Sequence, residues 1–396
     1  MRAISRVASP WCRVAVAALL ICATSPARAL ESQVHGSAAQ GYAWTDHNNA
    51  YGTSQNGSFD FFELNLNGSV QLAPGLLASG QLLMRDAGAN DNGKLRVDYA
   101  LLDYQFASGS WYNAGVRVGR VKNPFGLYND TRDVIFARPG IQMPQSIYFD
   151  GQGLRRLLFS SDGAQLYGGL GLGEHYVSVV VSGSRRQTLT DDEERQLTGG
   201  VALPAHEHVT DYYLGRLQDE WNGGADRVAF SVLHAGLDID PDAGSTVQGH
   251  IDFDNYVLSW RHDAARYSLS AEYIINRTKG WTSFAGDTDN LGDGFYVQGD
   301  YRLDPKWTLM ARYDASYINR NDRDGSRYAA STGGDPHSRY ARDLTLGLHW
   351  LPDQHWGVWG EWHHIIGSST VPPLDNPTQP RASNWNMLLL MAGYRF

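Results

Sequence analysis

FYVQGDYRLDPKWTLMARYD, residues 295–314, reads as two amphipathic strands joined by a tight turn. Phe295, Val297, Gly299, Tyr301 and Leu303 fall on one face of the first strand and Tyr296, Gln298, Asp300 and Arg302 on the other, because side chains alternate across a pleated backbone. After Asp304-Pro305-Lys306 the pattern resumes, with Trp307, Leu309, Ala311 and Tyr313 apolar and Thr308, Met310, Arg312 and Asp314 opposite them. Tyr267, Leu269, Ala271, Tyr273 and Ile275 repeat it, with Ser268, Ser270 and Glu272 behind. If the apolar face meets lipid, an Arg or Asp turned outward costs about 2–4 kcal/mol at the membrane midplane. The charges therefore point inward, and an interior lined by them is wet.

Working outward from this hairpin, tight turns recur at residues 73–75, 107–109, 171–173, 222–224, 263–265, 304–306 and 352–354. Between them lie longer polar segments near 46–57, 86–94, 122–158, 184–212, 238–250, 277–293, 318–341 and 367–383. Eight long loops alternating with seven short turns join sixteen strands, an even number with both termini on one side, as a bacterial outer-membrane barrel requires. A propeller would repeat in blades of four strands instead. Trp111, Tyr112, Tyr301, Trp307, Trp350, Trp356 and Tyr394 stand near strand ends, where an amphipathic ring suits a lipid–water boundary.

The composition agrees: 43 Gly, 21 Tyr and 12 Trp in 396 residues, with no apolar run long enough for a helical span beyond the N-terminal segment. That segment reads as an export leader. Arg2, Arg6 and Arg13 precede an apolar run from Val14 to Ala23, and Ala27-Arg28-Ala29 offers a small-x-small cleavage pattern. Cleavage after Ala29 leaves one barrel domain, 30–396, and removes both cysteines, Cys12 and Cys22. It also removes four arginines and no acid, moving the formal net charge from −9 to −13, which argues against a nucleic-acid partner. The expected fold class is thus all-β, an antiparallel transmembrane barrel of sixteen strands in the bacterial outer membrane.

The third long loop, Lys122 to Leu158, is the longest and mixes stiff turns with large apolar residues, as in Lys122-Asn123-Pro124-Phe125-Gly126-Leu127-Tyr128 and Arg138-Pro139-Gly140-Ile141-Gln142-Met143-Pro144. A disordered loop would be poor in Phe, Ile, Met and Tyr. We expect it to fold into the barrel and narrow the pore, with Gly115 and Gly119 leaving room for it beside Arg117. Lys122, Arg132, Arg138, Arg155 and Arg156 outnumber Asp130, Asp133 and Asp150 here, and rings of Arg or Lys favour anions. Equally, Arg132 could pair with Asp130 or Asp133 simply to fix the loop. The expected pore lining comprises Arg117, Lys122, Asp130, Arg132, Asp133, Arg138, Arg155, Arg156, Asp300, Arg302 and Arg312.

The chain ends with Asn386, Leu388, Leu390, Ala392, Tyr394 and Phe396 on one face. A closing strand with a terminal aromatic resembles the assembly signal that the barrel-insertion machinery reads in outer-membrane proteins, which assigns that role to Tyr394 and Phe396. Gly115 to Asp133, GVRVGRVKNPFGLYNDTRD, with SDGAQLYG at 161–168, resembles porin-like outer-membrane proteins related to the phosphate-selective porins. The resemblance implies a sixteen-stranded pore, a constricting third loop and often a homotrimer. It does not carry over phosphate selectivity, because no ladder of closely spaced arginines and no lysine cluster is present.

The function expected is a passive channel for small hydrophilic solutes or ions, mildly anion-preferring, with outer-membrane lipid around it and no cofactor. Asp238-Ile239-Asp240-Pro241-Asp242-Ala243-Gly244 fails as a calcium loop at its sixth and twelfth positions. His206-Glu207-His208 and His363-His364 lack zinc-site spacing, and no Gly-x-Ser-x-Gly, Cys nucleophile or Walker loop appears. The alternatives are a barrel hydrolase of phospholipase type, needing a Ser–His pair near the rim, and a plugged structural or adhesion barrel.

Overall fold

A computed structural model describes residues 31–149, 151, 160–378 and 380–396. The expected leader, residues 1–29, lies outside them. The wall is built from β1 (Ser32–Thr45), β2 (Phe61–Ala73), β3 (Leu76–Ala87), β4 (Asn92–Ser108), β5 (Tyr112–Lys122), β6 (Ser160–Leu172), β7 (His175–Ser184) and β9 (Ala205–Trp221). It continues through β10 (Asp226–Pro241), β11 (Gly249–Asp263), β12 (Tyr267–Thr282), β13 (Gly286–Arg302), β14 (Trp307–Tyr317), β15 (Tyr340–Trp350), β16 (Trp356–Gly367) and β17 (Asn384–Arg395). A two-residue strand, β8 (Gln187–Thr188), adds to β9 in the fourth long loop. Each wall strand pairs antiparallel with its sequence neighbour, and β1 pairs with both β2 and β17. The sheet therefore closes as a sixteen-stranded barrel with no free edge.

All seven expected turns join hairpins at one end, which we call the turn end, where the termini also meet: Gly36 N donates to Phe396 O at 3.3 Å and Phe396 N to Gly36 O at 3.1 Å. Four loops are shorter than expected: the segment read as 184–212 ends at 204, where β9 takes over. The segments read as 86–94, 238–250 and 277–293 shrink to 88–91, 242–248 and 283–285 because β4, β10, β11, β12 and β13 run on through them.

The alternation explains both results. On β13 and β14, Val297, Tyr301, Leu309 and Tyr313 are exposed while Tyr296, Gln298, Met310, Arg312 and Asp314 are buried. Trp111, Trp350, Trp356 and Tyr394 form an exposed belt at the turn end, with Trp307 stacked on Trp350 at 5.5 Å. Toward the loop end of β9 to β12 the pattern inverts. On β10 the outward row passes from Phe230 and Val232 to His234, Asp238 and Asp240, while the inward row from Leu233 through Ala235 and Leu237 to Ile239 is buried and apolar. On β11 the outward row changes from Tyr256 to Asp254, Asp252 and His250. His234 faces Asp254 at 2.8 Å and His250 faces Asp238 at 2.6 Å. A tilted strand crosses a bilayer in about 9–11 residues, so strands of 15 to 17 residues project beyond it. There water is outside, and the apolar face turns in. Polar residues at these positions mark strand in water rather than loop.

Candidate functional site

The described part of the third loop is tied to carboxylates on the wall strands, which accept its backbone N–H groups. Glu272 on β12 accepts from Leu127 N at 2.9 Å and from the hydroxyls of Ser259, Tyr148 and Tyr296 at 2.6–2.9 Å. Asp314 on β14 accepts from Gln145 N at 2.6 Å and Ser146 N at 3.2 Å. Glu361 on β16 accepts from Ile141 N at 2.6 Å and Gln142 N at 3.2 Å. Opposite them, Glu63 on β2 takes Arg138 Nη1 at 2.8 Å and Arg85 Nε at 3.0 Å. Buried N–H groups must find an acceptor, and a carboxylate supplies up to four lone pairs. Phe125, Ile135, Ile141, Met143, Ile147 and Tyr148 are buried against the same walls.

Among the expected lining residues, Arg117, Lys122, Asp130, Asp133 and Arg138 meet an opposite charge. Arg117 pairs with Asp103 at 2.8 Å, its guanidinium 4.5 Å from the Tyr167 ring centre. Lys122 is bonded to Asp98 at 2.8 Å and to Asp133. Asp130 pairs with Arg216 on β9 at 3.0 Å. Arg132 is fully buried and donates to Tyr148 O at 3.2 Å. Arg138 holds Glu63 and the carbonyls of Gly140 and Arg132. Asp300 accepts from Gln298 Nε2 at 3.1 Å. Arg312, 1 % exposed, faces neutral partners, Gln298 Oε1 and Thr345 Oγ1, each at 3.4 Å. Arg302 sits apart at the turn end, where it donates to Ser268 and to carbonyls of the preceding turn. Arg155, Arg156 and Asp150 lie outside the described residues.

Gly115 and Gly119 do not make room for the loop. A Cβ on Gly115 would stand 2.3 Å from the Tyr167 hydroxyl, and Gly119, at φ +132°, abuts the Ala100 carbonyl; the space they free is used by the wall. The anchors Glu63 and Glu361 were not singled out from sequence, and His363, which braces Glu361, entered only as half of a rejected zinc pair. Strand parity alone could have found them, since Glu361 and His363 alternate with Val358, Gly360 and Trp362.

His363 meets Asp343 at 2.8 Å and Thr345 at 3.1 Å, both at Nδ1, with Glu361 at 3.3 Å from Nε2. Carboxylates thus stand at both ring nitrogens, and Thr345 and His363 are fully buried, so this hydroxyl–imidazole contact is closed to a substrate. Among the described residues no histidine hydrogen-bonds a serine hydroxyl, and no group of three or more His, Cys, Asp or Glu side chains could hold a metal ion. No helix among the described residues is long and apolar enough to cross a membrane.

Closure at sixteen strands, the outer apolar belt and the charged interior define a porin-type transmembrane barrel of the bacterial outer-membrane class. No family model matches the chain, and no curated protein does. Among solved structures it is similar to the outer membrane channel DcaP of Acinetobacter baumannii (12 % identity, TM-score 0.58, 93 % of this chain and 97 % of that one). It is also similar to Salmonella typhi OmpF in complex with daunomycin (13 %, 0.58, 93 % and 98 %) and to the anion-selective porin from Comamonas acidovorans (14 %, 0.53, 92 % and 99 %). These likenesses are of fold.

Proposed function

We propose that the chain forms a passive outer-membrane channel for small hydrophilic solutes and ions, narrowed by its third long loop. The observation that carries this reading is the set of carboxylate anchors on β2, β12, β14 and β16, which hold residues 126–146 against facing sides of a charged interior. Barrels of sixteen strands leave an aqueous channel, and a loop tied across it leaves a constriction rather than a plug. Of the expected lining residues, Asp130, Arg132, Asp133 and Arg138 belong to this loop and Lys122 ends the strand that leads into it.

Charge selectivity is weak in this reading, because Arg117, Lys122 and Arg138 each face a carboxylate. A mild anion preference rests on the excess of Arg and Lys over Asp in residues 122–158 and is in keeping with the anion-selective porin of the same fold; Arg312, buried beside Asp314, does not add to it. We further propose that the barrel-insertion machinery reads Tyr394 and Phe396, that lipid surrounds the belt, and that the chain assembles as a homotrimer. The burial of Thr345 and His363, away from the rim, argues against the hydrolase reading.

The test is single-channel recording of refolded protein in planar bilayers under a salt gradient. Stable ohmic steps support the channel, and the sign of the reversal potential assigns the preference. Absence of conductance, from protein shown by heat-modifiable migration to be folded, would overturn it.

A further inference from the structure

At the loop end, where the strands are apolar inside and charged outside, a cavity of about 230 Å³ opens between the inner wall of β9 to β12, the third loop and the helix α1 (Asp191–Leu197) of the fourth long loop. Phe125 and Phe149 of the third loop, Leu197 of α1, and Leu233, Ala235 and Ile274 of the wall make its apolar sides. Among the described residues no charged side chain lines it. Its polar groups gather at one end: Asn255 and Asn276 are direct cross-strand partners, and Thr278 stands two residues further along the same face. Among the described residues neither asparagine makes a side-chain hydrogen bond.

Each feature restricts an occupant. A cavity of roughly 150 Å³ holds one benzene, so this one has room for a single ring with a short substituent. A charged group entering apolar walls loses hydration that nothing there replaces. Two amides side by side offer donors and acceptors to a hydroxyl or an amide, while mostly apolar walls with a few convergent polar groups are what small-molecule sites have in common. We propose that this cavity binds a neutral, single-ring aromatic solute carrying one hydroxyl or amide group, in the mouth of the barrel and apart from the carboxylate-anchored constriction. The channel would thus hold an apolar-bodied molecule beside a path for hydrophilic ones.

The test uses the full barrel in lipid nanodiscs with benzamide as probe and saturation-transfer NMR as readout. Benzamide is expected to bind with a dissociation constant in the millimolar range or below, and benzoate at least ten-fold more weakly. Leu197→Trp, on a loop helix, and Thr278→Trp, at the cavity mouth, fill the space from two sides. Each is expected to weaken benzamide at least ten-fold with heat-modifiable migration and conductance unchanged. Asn255→Leu is expected to weaken benzamide but not toluene. A signal no greater than that of empty nanodiscs, equal binding of benzoate, or unchanged binding in both tryptophan variants would overturn the site. Conductance that persists in that case would leave the channel reading standing, so the two fail separately.

Discussion

Two guanidiniums, Arg85 and Arg138, converge on one oxygen of Glu63, and all three side chains are 2 % exposed. Removing one partner of a buried ion pair costs about 3–5 kcal/mol because the other is left uncompensated. Glu63→Ala is therefore expected to lower the temperature of the heat-modifiable transition on gels well below that of wild type, and more than Glu63→Gln does, since the amide still accepts a hydrogen bond. Glu207 behaves differently. It lies at the loop end of β9, beyond the residues needed to cross the bilayer, and burial, reinforced by the charge of Glu194, pushes its carboxyl up to about 7. A carboxyl raised on docking favours the docked state when protonated. Docking of α1 against β9 is thus strongest below the ordinary value of 4.5 and weakens as pH rises from there through about 7. Hydrogen exchange of residues 191–204 followed over that range should show falling protection in wild type and a flat profile in Glu207→Gln.

At the scale of elements, the hairpin turns were fully legible: Ala73-Pro74-Gly75 and Asp304-Pro305-Lys306 carry turn chemistry that leaves little choice of conformation. The outer loops were less so. Asp238, Asp240, Arg277 and Asp289 were read into loops because a membrane strand should not turn charge outward. They lie on strands that continue into water, where Arg277 and Asp289 pair across β12 and β13 at 2.7 Å. In the third loop the sequence indicated order through its Phe, Ile, Met and Tyr, but not its anchors, because Glu272, Asp314 and Glu361 sit on strands far away in the chain. Those anchors make the loop testable. Asp314→Ala combined with Glu361→Ala strands the N–H groups of residues 141, 142, 145 and 146, at about 1–3 kcal/mol for each left buried and unpaired. The double variant is expected to conduct more current per channel, with more open-channel noise, than wild type.

For the molecule as a whole, the barrel closes where β1 meets β17 in an unbroken register from Ser37 against Arg395 to Thr45 against Met387. The terminal ring is 60 % exposed on the outer surface, and a Cβ on Gly36 would stand 2.7 Å from it, so only glycine there lets the ring lie over the seam. Phe396→Ala removes the ring but neither of the backbone bonds to Gly36. It is expected to reduce the amount of protein assembled in the outer membrane several-fold while leaving the thermal transition of refolded protein nearly unchanged; an equal loss in both would show a structural rather than a recognition role.

A ring of strands also has no end from which to fray. An open sheet can lose its outermost strand and then the next, each step needing a single ladder to part. Here any strand leaves only if two ladders part together, so no partly opened form is cheap to reach. Survival of the folded barrel is accordingly a matter of lifetime more than of equilibrium, set by how rarely two neighbouring ladders fail at once.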